Sequence, residues 1–149
     1  MHPYERLTAW QKAHEFTVAT LQVIERQLRM GDKVLSNQLR RAAISVSANI
    51  VEGSGRSSAA QFAAFLAISL GSARECAYLI RLAADLKMIR LSDRATLEAR
   101  CDQVCRMIVP LMRHLKTVDQ RRPQPSRASR ASRTARDSRN SSPSSAAYD

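Results

Sequence analysis

The sequence contains few of the residues that interrupt or cross-link a chain. Its 149 residues include four glycines, five prolines and three cysteines, and only 5% are aromatic. Three of the five prolines lie beyond residue 120, so the first 117 residues hold few helix breakers. The cysteine count is odd and no Cys-x-x-Cys spacing occurs, which argues against a disulfide framework. These absences favour an Ala- and Leu-rich, all-α chain.

Signals for export and for membrane insertion are also missing from the sequence. The first six residues lack the basic start and apolar run of a signal peptide. No apolar run approaches the ~20 residues that span a bilayer. We therefore expect a cytoplasmic protein with no membrane partner.

Positive charge is the property that the chain has in excess. Lys and Arg number 24 against 13 Asp and Glu, a net charge of +11. Seven arginines and three aspartates lie beyond residue 117, so residues 1–117 keep +7. This balance favours a polyanion partner, with nucleic acid as the usual one. The composition predicts one domain over 1–117 and a disordered Arg/Ser-rich tail over 118–149.

Apolar residues recur at spacings of three and four, which predicts four helices. Their expected ranges are 5–28, 33–52, 58–86 and 92–116, the last capped by Ser92. Short connections between such helices predict an antiparallel up-down four-helix bundle. The inward seam expected for the first helix is Leu7, Trp10, His14, Thr17, Leu21, Ile24 and Leu28.

The third helix carries two apolar seams, where a helix of a monomeric bundle needs one broad stripe. One interpretation is a helix buried deep in the bundle. The other is a subunit interface through the second seam, with Phe65, Ile68, Leu79 and Leu82 as contact residues.

Small and polar residues join the second and third helices. In Gly53-Ser-Gly-Arg-Ser-Ser58, Gly53 or Gly55 can adopt a positive φ that ends a helix, and Ser57 or Ser58 can cap the next. A phosphate-binding loop is the alternative, although the segment follows a helix and lacks the P-loop spacing.

Four polar residues around this connection form a predicted cluster: Asn49, Glu52, Arg56 and Glu75. A catalytic role would need a nucleophile or metal beside the acids, and none is recognisable in the sequence. A structural role that sets helix register or subunit contact is therefore favoured. Cys101 and Cys105 lie at i, i+4 and could form half of a metal site, but Cys is also a common core residue. We expect no enzyme activity, metal or cofactor.

Arginines provide the candidate nucleic-acid contacts. On the helices these are Arg40, Arg41, Arg74, Arg81, Arg106 and Arg113, and in the tail Arg127, Arg130 and Arg133. An ordinary solvated face and a solubilising tail are the alternatives. Because aromatic residues are scarce, phosphate and shape contacts should dominate over base readout.

The segments 4–13, 38–58 and 62–75 resemble a family of small bacterial four-helix bundle proteins first met as products of intervening sequences in 23S rRNA genes. Accessory proteins of diversity-generating retroelements form a related group. The resemblance implies the bundle fold and a barrel-shaped homopentamer. The related accessory proteins bind a reverse transcriptase and nucleic acid, so it also implies a possible protein partner. The chain departs from the pattern at Ala77, where relatives often carry an acidic residue, and in its tail.

Together these features predict a non-catalytic, oligomeric protein that binds structured RNA or a ribonucleoprotein through basic surfaces. The alternative is a protein-only scaffold, or an accessory subunit such as that of a reverse transcriptase, whose basic surface is incidental.

Overall fold

The chain folds into four α-helices in the computed structural model, which describes residues 2–28 and 33–121. These are α1 (Thr8–Val23), α2 (Lys33–Ser54), α3 (Ala59–Asp85) and α4 (Leu91–Gln120). A 3₁₀ turn, Pro3–Arg6, precedes α1, and a π-helical turn, Ile24–Leu28, extends it. Each helix packs on two neighbours, in the order α1, α2, α3, α4 and back to α1. The predicted all-α four-helix bundle is confirmed.

The buried face of α1 differs from the predicted seam. It consists of Ala9, Ala13, Phe16, Thr17, Thr20 and Val23. Trp10 is only half-buried and His14 is exposed. The hydroxyls of Thr17 and Thr20 can be buried because each donates to a carbonyl one turn earlier, at 2.9 Å. The predicted seam is right at Thr17, Ile24 and Leu28, but it missed Phe16, which is fully buried.

The junction of α2 and α3 depends on a close approach at Gly53. A Cβ at this position would lie 2.7 Å from Phe62 Cδ2 and from Phe65 Cβ. The predicted positive φ at Gly53 or Gly55 is wrong, since none of the described glycines has one, and α2 continues to Ser54. The predicted cap of α3 is confirmed at Ser58, whose hydroxyl accepts from the Gln61 N–H at 3.2 Å.

The start of α4 is stabilised by a side chain from the π-helical turn that extends α1. The helix begins at Leu91, so the predicted cap at Ser92 is wrong. Gln27 accepts from the Arg90 N–H at 2.8 Å and donates to Asp93 at 2.6 Å. At its other end α4 reaches Gln120, three residues past the predicted boundary at 117.

Among the described residues, α3 is the helix long and apolar enough to cross a membrane. It has 27 residues, and its apolar window of 18 residues has a mean hydropathy of 1.3. By length and composition alone, the expectation that no apolar segment approaches the length of a membrane span is therefore wrong. Half of the apolar window is buried inside the bundle. The core helix of a bundle is apolar for that reason.

Candidate nucleic-acid interface

Four of the predicted arginines lie on the neighbouring helices α3 and α4. Arg74 and Arg81 are exposed on α3, and Arg106 and Arg113 are exposed on α4. Within the described part of the chain, none of the four forms an ion pair. Each pair is seven residues apart, which stacks both side chains on one helix face.

The three cysteines meet where α3 packs on α4. Cys76 and Cys101 are buried, Cys105 is half-buried, and the Cys101 thiol donates to the Ala73 carbonyl at 3.2 Å. A hydrogen bond with the Cys101 thiol lowers the pKa of Cys105 to about 7, and the Arg74 guanidinium also lowers it, against opposing burial and the Asp102 charge. Burial raises the pKa of Cys76 to about 12. The same thiol–thiol hydrogen bond and burial raise that of Cys101.

The action of Arg74 on Cys105 relates the two helix faces to each other. The Arg74 charge acts on the Cys105 thiol of α4, and Arg106 directly follows Cys105 in the chain. Arg81 and Arg113 then extend the set in opposite directions, since the helices are antiparallel. We call these four residues the arginine stripe.

The remaining predicted arginines are elsewhere. Arg40 on α2 pairs with Glu25 at 2.5 Å, and Arg41 is exposed on α2 without an ion pair to a described residue. Neither joins the arginine stripe. Arg127, Arg130 and Arg133 lie outside the described residues.

The predicted polar cluster does not form as one unit. Asn49 donates to the Ser45 carbonyl and hydroxyl at 2.8 and 2.9 Å, and Ser45 shares a 2.8 Å hydrogen bond with Ser72 of α3. Sequence reasoning missed both serines, although Ser45 lies one turn before Asn49. This Ser–Asn network does join α2 to α3, as the structural interpretation requires.

The other members of the predicted cluster are at the surface. Glu52 and Arg56 form an ion pair whose side chains are 54% and 41% exposed. The Arg56 guanidinium lies 4.7 Å from the Phe65 ring centroid, a cation–π contact between the connection and α3. Glu75 is exposed. The prediction of one cluster is therefore wrong, because periodicity cannot separate an inward position from its flank.

The proposed contact residues of the second α3 seam differ in exposure. Leu79 belongs to the chain's own core, at 8% exposure, so its prediction as an interface residue is corrected. Phe65 and Leu82 are half-buried, and Ile68 is 52% exposed.

Within residues 2–28 and 33–121, no three His, Cys, Asp or Glu side chains are placed to hold a metal ion. Cys101 and Cys105 form a pair of neighbouring thiols in this part of the chain.

The chain is similar to known proteins in both sequence and structure. The family model described as 23S rRNA-intervening sequence protein matches residues 5–110. A crystal structure from Bacteroides thetaiotaomicron, of a protein with unknown function from the S23 ribosomal protein family, superposes with a TM-score of 0.65 at 22% identity. The match covers 70% of this chain and 98% of the other. No curated protein matches the sequence.

Proposed function

The chain belongs to the family of 23S rRNA-intervening sequence proteins, and from that premise we propose a non-catalytic, oligomeric protein that binds structured RNA, free or within a ribonucleoprotein. The arginine stripe is the observation that carries the proposal. Four exposed guanidinium groups without ion pairs to described residues are available to phosphates, and guanidinium is well suited to bidentate phosphate contacts.

The described acidic residues do not neutralise the four arginines of the stripe. Described acids pair with Lys12, Arg26, Arg40, Arg56 and Arg94, which are not members of the stripe. The arginine stripe runs along two adjacent helices. Such a row of positive charge suits the backbone of a folded RNA, which is recognised through phosphates and shape. The proposal places the protein in the cytoplasm, without a membrane partner, metal or cofactor.

A non-catalytic role is supported by what the buried polar groups do. Ser45 accepts from Asn49 and shares a hydrogen bond with Ser72 of α3, and Ser69 donates to the Val46 carbonyl at 2.6 Å. These groups satisfy each other's hydrogen bonds and fix the register of two helices.

Assembly into a homo-oligomeric ring, a pentamer by the family resemblance, is the second part of the proposal. Gly71 lies inside α3, is exposed, and a Cβ there would meet nothing within 4 Å. A glycine inside a helix destabilises it by about 1 kcal/mol relative to alanine, and no contact with residues 2–28 or 33–121 requires it. Close approach of a helix from a second copy would supply the reason.

Filter binding of a structured RNA across a salt series tests the RNA part. The logarithm of the binding constant should fall linearly with that of salt concentration, by roughly 0.7 to 0.9 for each phosphate contact. The double variant Arg74→Glu/Arg81→Glu should bind more weakly and with a flatter slope. Arg90→Glu/Arg100→Glu makes the same charge change on exposed residues outside the stripe and should lose less.

Two outcomes would contradict the proposal. Equal losses in both double variants would mean that only net charge matters and that the stripe is not a site. Absence of RNA binding at low salt would favour the alternative, a protein scaffold or an accessory subunit, for which the exposed side chains of Ile68 and Tyr78 on α3 offer a contact surface.

A further inference from the structure

Four rings form a continuous stack beside the start of α1. The ring centroids of His2 and Tyr4 are 5.5 Å apart and nearly parallel, at 5°. Tyr4 meets Trp10 edge-on at 5.0 Å and 64°, and Trp10 stacks on His14 at 5.0 Å and 16°. We call this set the aromatic stack.

The stack lies at the edge of the core of the bundle, against which Trp10 packs. His2 and His14, the rings at its two ends, are exposed, while Tyr4 and Trp10 are half-buried. The inward face of α1 is formed by other residues, with Phe16 as its large side chain. The rings therefore offer π surface to the outside.

Hydrogen bonds hold the stack in place independently of any ligand. The Glu5 carboxylate accepts from the His2 N–H at 3.0 Å, and the Glu5 carbonyl accepts from the Gln11 side chain at 2.9 Å. These bonds fix the 3₁₀ turn, and with it Tyr4, against α1. A rigid aromatic surface binds a planar partner at low entropic cost.

We propose that the aromatic stack is a stacking site for an unpaired nucleobase of the bound RNA. The inference rests on the proposed function and deepens it. Every base has a π face, so such a site is tolerant of sequence. Arg6 is exposed, lacks an ion pair among the described residues and ends the 3₁₀ turn that carries Tyr4, so a phosphate next to the stacked base can reach it.

The stack and the arginine stripe serve different parts of an RNA. The stack is on α1, whereas the stripe is on α3 and α4. A stem contacts the stripe through its phosphates, and a loop or end supplies the unpaired base. The sequence-based expectation that base contacts are minor for lack of aromatics changes accordingly, since two of the seven Phe, Trp and Tyr residues, Tyr4 and Trp10, belong to the aromatic stack.

Trp10 is the only tryptophan of the chain, so its fluorescence reports on the stack directly. The full chain is titrated with an RNA hairpin carrying an unpaired uridine loop, and with a blunt RNA duplex of the same stem. The hairpin should quench Trp10, with a midpoint equal to the dissociation constant from filter binding, and the duplex should quench it much less.

Two variants and a control define the site. His14→Ala and Arg6→Ala should each weaken hairpin binding by roughly 5-fold and leave duplex binding nearly unchanged. Gln22→Ala changes another exposed position of α1, outside the stack, and should match the parent protein. Circular dichroism melting shows whether each variant keeps the parent's stability.

Different experimental results would contradict the stacking site and the proposed function. Hairpin binding in the filter assay with unchanged Trp10 fluorescence, and with His14→Ala and Arg6→Ala at parental affinity, would overturn the stacking site alone. Absence of binding to either RNA at low salt would overturn both.

Discussion

Cys105 is the single residue whose chemistry depends most on its neighbours. Its thiol is half-buried beside α3, and the Cys101 thiol stabilises its ionised form. The Cys101 proton otherwise goes to the Ala73 carbonyl, at 3.2 Å. A single S–H cannot donate fully to both acceptors, so ionisation of Cys105 draws that proton away from Ala73.

Alkylation by iodoacetamide should therefore be selective for Cys105 and depend on pH. Only the thiolate reacts, so the rate should be low below pH 7 and rise through a midpoint near the Cys105 pKa of about 7. Cys76, with its pKa raised to about 12 by burial, and the buried Cys101 should stay unmodified in the folded protein. Peptide mapping by mass spectrometry measures each site.

The role of Cys101 is tested in the same experiment. Cys101→Ala removes the donor and should move the midpoint upward, toward the ordinary cysteine value of about 8.5. Cys101→Ser keeps a donor and should move it less. An unchanged midpoint in Cys101→Ala would show that the thiol pair does not set the reactivity of Cys105.

At the scale of the helices, two glycines in similar settings have opposite roles. Gly53, near the end of α2, is buried, and a Cβ would collide with Phe62 and Phe65 of α3 at 2.7 Å. Gly71, inside α3, faces open space. Gly53 lets α2 and α3 approach closely, and Gly71 leaves space on the outer surface of α3.

The same substitution at both positions should separate these roles. Gly53→Ala should destabilise the fold by roughly 1–3 kcal/mol, because Phe62 and Phe65 must move apart from α2. Gly71→Ala should not reduce stability through intrachain packing, and its helix propensity is about 1 kcal/mol more favourable. Urea denaturation at a fixed protein concentration measures both. Equal losses in the two variants would rule out the helix contact as the cause.

At the scale of the whole molecule, the part of the outer face of α3 that precedes Arg74 is the surface that assembly would cover. Ala64, Ala67 and Gly71 are small, exposed and aligned at helical spacing, and Ile68 lies beside them at 52% exposure. Leu79 is unsuitable as a probe of this surface, because it is buried in the chain's own core. A charge at Leu79 would unfold the bundle whether or not a ring exists.

Ile68→Glu should dissociate the ring and leave the helix content unchanged, because its side chain faces outward. Light scattering and circular dichroism measure the two properties. Leu91→Glu, the same change at a 72% exposed leucine at the start of α4, is the matched control and should stay assembled. A parent protein that is a monodisperse monomer at micromolar concentration would contradict the assembly proposal.

Much of the fold follows from the sequence, because it depends on local patterns. Apolar spacing of three and four predicted four helices, and their observed ends mostly fall within a few residues of the predictions. The cap at Ser58 was also predictable, since it involves Gln61, three residues away. The start of α4 was not, because Gln27 is 63 residues from Arg90 in the chain.

For the candidate sites, the sequence determined which residues carry charge and at what spacing along each helix, and so the two arginine pairs. Only the tertiary structure decided that the two helices carrying those pairs, α3 and α4, pack on each other, and that Arg40 pairs with Glu25. It likewise separated Glu52 from Asn49, placed Leu79 in the core and aligned His2, Tyr4, Trp10 and His14. Periodicity is a property of one helix, whereas rotation about the helix axis and the pairing of side chains depend on its neighbours.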